Sequence, residues 1–179
     1  MRGIKLQIFY IIIKLFNFCF SLLIFKFLRD FFCLIAGYKI GKGTSIQSVR
    51  FFSFGKLKIG NNTIINSGVY LDNRRGIEIG NNVVIAHDSK IYTLGHDVND
   101  SSFKTVGEKV VIQDFVIIFS NVLIMPGVTI GRGAVILPGS VIAKDVGDME
   151  IVGGNPSKVK KIRKNLHINK KVVDFWFSI

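Results

Sequence analysis

The chain has 179 residues, of which 49% are hydrophobic and 20% charged, so it can form one folded domain with an appendage and is too apolar to be disordered. Lysine and arginine (24) exceed aspartate and glutamate (12), which gives a net charge of +12. The basic residues form no long run and the aromatic residues gather at the two ends. This pattern argues against a nucleic-acid-binding protein and favours anionic lipid or phosphate groups as partners. The two cysteines, Cys19 and Cys33, fit neither a metal site nor a disulfide framework, which favours a reducing compartment.

Residues 1–36 form the first predicted unit, an apolar helical segment. Between residues 8 and 28 the only charged side chains are Lys14 and Lys26. The length permits a membrane-spanning helix, but the polar residues fall at helical spacing on one stripe, which favours a helix at a membrane interface. Packing on the protein itself is the third alternative. The polar stripe consists of Gln7, Lys14, Asn17 and Ser21.

The middle of the chain repeats every six residues. A period of six keeps no residue on one face of a helix, but it fits short strands with inward aliphatic side chains, joined by turns of Gly or Asn. Three hexapeptides make one coil of triangular section, and stacked coils lie about 4.8 Å apart. Residues 37–147 are therefore predicted to form an all-β solenoid, a parallel β-helix of five or six coils. The repeating isoleucines are Ile112, Ile118, Ile124, Ile130, Ile136 and Ile142.

The repeat is interrupted between Ile91 and Val110, where a polar stretch predicts a loop over residues 94–109. Inserted loops on a regular scaffold often carry function. His96 lies at the root of this loop, and imidazole is the side chain best suited to accept a proton near neutral pH. A structural role for His96, capping a corner of the coil, is the alternative. His87 is the competing histidine, at a hexapeptide position that faces outward.

The repeat and the closing phrase LPGSVIAKDV…IVGGNPSKVKKIR (137–163) resemble the hexapeptide-repeat acyltransferases, in particular their sugar O-acetyltransferase branch. The resemblance covers about residues 40–164. It implies a left-handed β-helix, a short C-terminal helix within residues 148–179, and a homotrimer with acetyl-CoA bound between neighbouring subunits. It also implies that His96 is the catalytic base, because the family places its histidine in a similar Gly-His context at the start of such a loop.

The resemblance assigns further residues one position at a time. Ser120 matches a serine near the thioester, and Ala143 and Lys144 match a pair beside the nucleotide half of the cofactor, where the family often has threonine in place of the alanine. The basic residues expected near the 3′-phosphate are Lys160, Lys161 and Arg163. Asp72 matches a region that contacts the acceptor sugar. The other candidates for acceptor contacts are His87, Asp97 and Asn99.

A metal site is not predicted. Zinc enzymes with this fold use two histidines five residues apart, whereas His87 and His96 are nine apart. The predicted function is transfer of an acetyl group from acetyl-CoA to a sugar hydroxyl of a polysaccharide or lipopolysaccharide precursor, in the cytoplasm at the inner face of the membrane. The alternatives are a serine or acyl-carrier-protein-dependent acyltransferase of the same fold, and a non-enzymatic membrane-associated scaffold.

Overall fold

A computed structural model describes residues 2–166, which form two helices followed by a stack of β coils. The helices are α1 (Arg2–Leu22) and α2 (Lys26–Ile35). Most strands have only two residues, because each crosses one flat side of a coil. The strands are β1 (Lys39–Ile40), β2 (Ser45–Ile46), β3 (Arg50–Phe51), β4 (Leu57–Ile59), β5 (Ile64–Ile65), β6 (Tyr70–Leu71), β7 (Ile77–Ile79), β8 (Val84–Ile85), β9 (Lys90–Ile91), β10 (Gly95–His96), β11 (Thr105–Val106), β12 (Val110–Ile112), β13 (Ile117–Ile118), β14 (Leu123–Ile124), β15 (Thr129–Ile130), β16 (Val135–Ile136), β17 (Val141–Ile142), β18 (Glu150–Gly153) and β19 (Lys158–Ile162).

Three sheets form the three faces of a prism. The first face has the order β1-β4-β7-β12-β15, the second β19-β18-β16-β13-β8-β5-β2, and the third β17-β14-β9-β6-β3. All neighbours within a face are parallel except β18 and β19. Val111 pairs with Thr129, 18 residues on, whereas Leu57 pairs with Ile77, 20 residues on. The predicted parallel β-helix is confirmed, and its early coils are slightly longer than three hexapeptides.

The core is the column of aliphatic side chains that the six-residue period predicted. All six repeating isoleucines, from Ile112 to Ile142, are at most 1% exposed. Each of these side chains stacks on the inward side chain one coil away, which gives a continuous apolar interior. No second sheet or helix layer is needed to form this core. The corners need backbone conformations with positive φ, which Asn82 (φ 56°) and Gly133 (φ 70°) provide. The rest of the structure is built outward from this core.

Helix α1 closes the open end of the first coil. Phe20 is fully buried, with its ring centroid 5.3 Å from that of Phe51 in β3, the edge strand of the third face. The Asn17 side chain donates to the Phe51 carbonyl and accepts from the Phe51 N–H, both at 2.8 Å. Asn17 therefore supplies the hydrogen bonds that a preceding strand would have made. It faces the solenoid and does not belong to a solvent-facing stripe.

The predicted short C-terminal helix is wrong for the residues that the structure describes. β18 continues the second face beside β16, and β19 folds back antiparallel along its free edge. The four residues between them suit a tight turn as well as they suit the start of a helix; they are Gly154, Asn155, Pro156 and Ser157. The free edge of β18 decides the outcome, because its backbone groups need partners. The aromatic tail from residue 167 lies outside the described residues.

Replacing Ile112 tests the core, with its neighbour in β12 as the matched control. Ile112→Ala should lower the free energy of unfolding by about 2–5 kcal/mol, because the side chain is buried and leaves a cavity. Val111 points outward from the same strand, so Val111→Ala should cost less than about 1 kcal/mol. Denaturant unfolding of both variants measures the difference. Equal losses would mean that the isoleucine column does not carry the stability.

Candidate active site

The candidate site lies at the third corner, defined as the turns that lead from the third face to the first. The strands β1–β3, β4–β6 and β7–β9 form the first three coils. In the third coil this turn is the loop over residues 94–109, which the interruption of the repeat predicted. Its base is a two-stranded antiparallel ribbon of β10 and β11, in which His96 pairs with Thr105. The ribbon places the histidine at the outer surface of the prism, close to the wall formed by the next coils.

The His96 ring is held by the far end of the same loop. Its Nδ1 lies 2.8 Å from the carbonyl oxygen of Phe103, and the Phe103 ring stacks on the imidazole with centroids 4.3 Å apart and planes 6° apart. A carbonyl can only accept, so Nδ1 carries the proton in the neutral ring. Nε2 makes no hydrogen bond within residues 2–166, and its lone pair is therefore free to accept a proton.

The loop itself is held by short-range bonds and one close backbone approach. The Asp97 carboxylate accepts from the Asn99 N–H at 2.9 Å, and the Asp97 N–H donates to the Lys104 carbonyl at 2.9 Å. Gly107 has φ 151° and lies so close to the Thr93 carbonyl oxygen that a Cβ there would collide with it. Asp97 thus shapes the loop, while the Asn99 side chain is exposed at its outer end.

His96 opens into a cleft of about 420 Å³ whose wall is the third corner of the next two coils. Ala143 and Lys144, predicted to border the cofactor, line the same cleft. Glu108 and Asp145 also line it, so an imidazole, a lysine and two carboxylates surround the space. The Asp145 carboxylate accepts from the Thr129 N–H at 2.7 Å. This hydrogen bond joins the third corners of two neighbouring coils in the wall of the cleft.

Ser120 and His87 lie at a different edge of the prism. Both belong to the second corner, defined as the turns from the second face to the third, and the His87 carbonyl accepts from the Asn121 N–H at 3.0 Å. The full width of the third face separates this corner from His96. Within one chain the structure therefore does not bring Ser120 or His87 together with the loop histidine.

The basic residues near the C-terminus are also remote from the cleft. Lys160 and Lys161 are exposed on β19, at the end of the second face. Arg163 is engaged differently, because its Nη1 donates to the Phe115 and Gly133 carbonyls at 2.9 Å each. Burial lowers the pKa of Arg163. Through Nη1 its guanidinium ties β19 to two corner turns, and its role at the 3′-phosphate stays a prediction.

Asp72 does not have the open carboxylate expected of an acceptor-binding residue. Its side chain is fully buried, and both oxygens accept from Arg74 at 2.7 and 2.8 Å. The Arg74 guanidinium in turn lies 4.1 Å from the centroid of the Phe52 ring. A buried carboxylate needs a cationic partner of this kind. The sequence indicated only that Asp72 lies in a turn, and this favoured an exposed carboxylate. The pair fixes the corner one coil before the loop.

Sequence reasoning missed Phe103, Gly107 and Glu108, each of which builds the site. Phe103 is the single aromatic residue in the polar loop, which is the signal that could have singled it out. Gly107 could have been suspected as the glycine that closes the insertion. No motif or spacing in the sequence distinguishes Glu108 from the other polar residues of the loop. Among residues 2–166 no group of three or more His, Cys, Asp or Glu side chains is placed to hold a metal ion.

Comparison with known proteins agrees with this architecture. Residues 94–144 match the family model described as bacterial transferase hexapeptide (six repeats). A hexapeptide-repeat containing acetyltransferase of Vibrio cholerae, solved with acetyl coenzyme A, is 27% identical over 90% of each chain, with a TM-score of 0.79. The chain is similar to hexapeptide-repeat acetyltransferases in its repeat and in its fold.

Two further solved structures resemble this chain. A maltose O-acetyltransferase of Clostridium difficile is 26% identical over 90% of this chain and 89% of its own, with a TM-score of 0.63. The polySia-specific acetyltransferase NeuO is 27% identical over 77% of this chain and 66% of its own, with a TM-score of 0.60. A search of curated proteins by sequence finds no match.

Alanine at Gly107 tests whether the close approach holds the loop. Gly107→Ala should displace the loop base, because the added Cβ meets the Thr93 carbonyl. We expect tryptic cleavage at Lys104 to become at least tenfold faster. Gly95→Ala is the matched control on the opposite strand of the ribbon, since a Cβ there meets nothing within 4 Å. Unchanged cleavage in the Gly107 variant would contradict the proposed constraint.

Proposed function

We propose that this protein is an O-acetyltransferase that moves an acetyl group from acetyl-CoA to a sugar hydroxyl. The observation that carries the proposal is the geometry of His96. Its Nδ1 is bonded to a carbonyl, its Nε2 is free, and it shares a cleft with Ala143 and Lys144. An imidazole held in this tautomer is a preorganised general base. The relative solved with acetyl coenzyme A supports the choice of donor.

The chemistry needs no covalent enzyme intermediate. Nε2 of His96 accepts the hydroxyl proton while the sugar oxygen attacks the thioester carbonyl carbon. The tetrahedral oxyanion is stabilised by a backbone N–H or by the Ser120 hydroxyl. When the intermediate collapses, the C–S bond breaks, the ester forms, and the imidazolium returns the proton to the thiolate of CoA. Neither cysteine takes part, since Cys33 is buried and Cys19 lies on α1.

The site is completed by a neighbouring subunit in a homotrimer. Ser120 and His96 lie at opposite edges of the third face, so one chain cannot place both at one thioester. A ring in which the second corner of one subunit meets the third corner of the next unites them, and such head-to-tail contacts close in cyclic symmetry. The outward residues support this packing. The second face presents Ile64, Val84 and Ile117, whereas the first presents Lys39, Lys58 and Glu78.

The acceptor is a saccharide, and we place the enzyme in the cytoplasm at the inner face of the membrane, where a lipid-linked polysaccharide or lipopolysaccharide precursor is available. Support comes from relatives described as a maltose O-acetyltransferase and a polySia-specific acetyltransferase, and from the apolar N-terminal helices. Serine as acceptor, or an acyl carrier protein as donor, remains the second candidate within the same reaction class. A scaffold without activity is the third.

Replacing the two histidines separately tests the assignment of the base. His96→Ala should lower kcat for acetyl transfer by about 10²–10⁴-fold, with little change in CoA affinity, because the general base is lost. His87→Ala is the comparison, because the proposed trimer brings the second corner of a neighbour to the cleft, where the exposed His87 can contact the acceptor. Loss of that contact should raise KM without removing the base in His87→Ala. Its kcat should stay within about threefold of wild type. A fully active His96→Ala enzyme would exclude this mechanism, and inactivity of the wild type with every saccharide would favour the scaffold.

Titration calorimetry with CoA and 3′-dephospho-CoA tests the donor site without any acceptor. Lys161 is remote from the cleft of its own chain, but the proposed trimer brings the second face of a neighbour, with its β19, beside that cleft. Lys161→Ala should therefore weaken CoA binding by about tenfold and leave 3′-dephospho-CoA binding unchanged, because one phosphate contact is lost. Lys158→Ala changes an exposed lysine of the same strand and should leave both affinities unchanged. If wild type binds neither ligand, the donor is not CoA. Equal effects of the two variants would remove Lys161 from the phosphate site.

A further inference from the structure

Helix α1 has two apolar faces on opposite sides. The inner face packs on the first coil through Ile13, Phe16, Asn17 and Phe20. The outer face carries large side chains at helical spacing, each about half to two thirds exposed, and nothing within residues 2–166 covers them. They are Ile4, Ile8, Ile11, Ile12, Leu15, Phe18 and Leu22. At about 100° per residue these positions form one stripe, opposite the inner face.

Helix α2 repeats this arrangement on a smaller scale. Cys33 and Arg29 are buried against the solenoid, and Arg29 donates to the Ile46 carbonyl at 3.2 Å. Its outer residues again follow helical spacing and are exposed by 55–71%. They are Phe27, Phe31, Leu34 and Ile35. So much contiguous apolar surface is not left in water by a soluble monomer, and it indicates a partner.

The charges beside the stripe identify the chemistry of that partner. Lys5 and Lys14 flank it on opposite sides, roughly 80° and 100° from its centre by helical geometry. Neither lysine makes an ion pair with the described residues. Asp30 is the only acidic residue before residue 37, and Lys26 neutralises it at 2.6 Å. An apolar stripe between lysines matches an interface of acyl chains and anionic headgroups.

We propose that the outer faces of α1 and α2 bind an anionic bilayer, with α1 lying in the plane of the interface. α1 is long and apolar enough to cross a membrane. Crossing would require it to leave the solenoid, which would expose Phe20 and strip the hydrogen bonds of Asn17 from the edge of β3. Lying in the plane keeps those contacts and buries the outer stripe. The binding surface involves none of the residues assigned to acetyl transfer.

The two cysteines provide a native probe of this surface. Cys19 is exposed and falls within the outer stripe, whereas Cys33 is buried and burial raises its pKa to about 12. A water-soluble maleimide should therefore label one thiol per chain, and Cys19→Ser should label none. Adding phosphatidylglycerol vesicles should slow labelling of Cys19 at least tenfold, and phosphatidylcholine vesicles should slow it less.

Substitutions on α1 separate this proposal from its competitors. The double variant Ile11→Gln, Leu15→Gln should lose vesicle protection and vesicle flotation by at least tenfold, because two apolar anchors are removed. Ser21→Gln places the same side chain off the stripe and should bind as wild type. Both variants should acetylate a soluble saccharide at the wild-type rate, so failure of the membrane proposal can be told from failure of the proposed function.

Three results would overturn the proposal. Vesicle binding that is unchanged in the double variant would place the contact elsewhere. Protection of Cys19 that rises with protein concentration and needs no lipid would show that a second copy covers the stripe. Retention of the protein in vesicles after an alkaline carbonate wash would show that α1 spans the bilayer, whereas an in-plane helix is released.

Discussion

Hydrogen bonding between stacked coils is the constraint on which the rest of the structure depends. Each two-residue strand has its partners in the coil before and the coil after, so a β-helix satisfies its own backbone everywhere except at its two ends. This chain closes the ends in different ways. At the first coil, a helix and the side-chain amide of Asn17 replace the missing strand. At the last coil, β19 turns back along β18, and Arg163 fastens it to two corner carbonyls.

The same constraint confines function to the corners. An insertion within a face would break the hydrogen bonds between the strands of neighbouring coils. A turn can be lengthened without disturbing the coils above and below it. The third corner shows the consequence, since β9 and β12 keep their places in the ladder although 18 residues separate them. The ribbon of β10 and β11 and the stacking of Phe103 then give the inserted loop enough order to fix a histidine tautomer.

The period of the sequence predicts the coils, the buried isoleucines, the loop and the position of His96, because each depends on local spacing. What it fails to predict depends on contacts between distant segments. Asn155 and Pro156 are equally consistent with a helix start and a turn, and only the unpaired edge of β18 selects the turn. Asp72 has the sequence context of an exposed turn, yet Arg74 and the coil beside it bury its carboxylate. The sequence places Asn17 in a polar stripe of the helix. Its side chain instead faces the solenoid, because the unpaired backbone of β3 at Phe51 hydrogen-bonds to it.

The N-terminal cap, α1 with α2, contributes to the fold through its inner face and presents an outer apolar face to solvent. A helix that only closed the solenoid would need one apolar face, whereas α1 has a second apolar face that is exposed to solvent. In the proposed cyclic trimer the prisms stand side by side, so all three caps lie at the same end of the particle and can contact one membrane together, as the membrane proposal requires. The His96 loop leaves the third coil, only two coil spacings, about 10 Å, above the coil on which α1 packs. If His96 is the base and the outer face of α1 binds a membrane, as we propose, this short distance suits an acceptor whose saccharide extends from a lipid anchor.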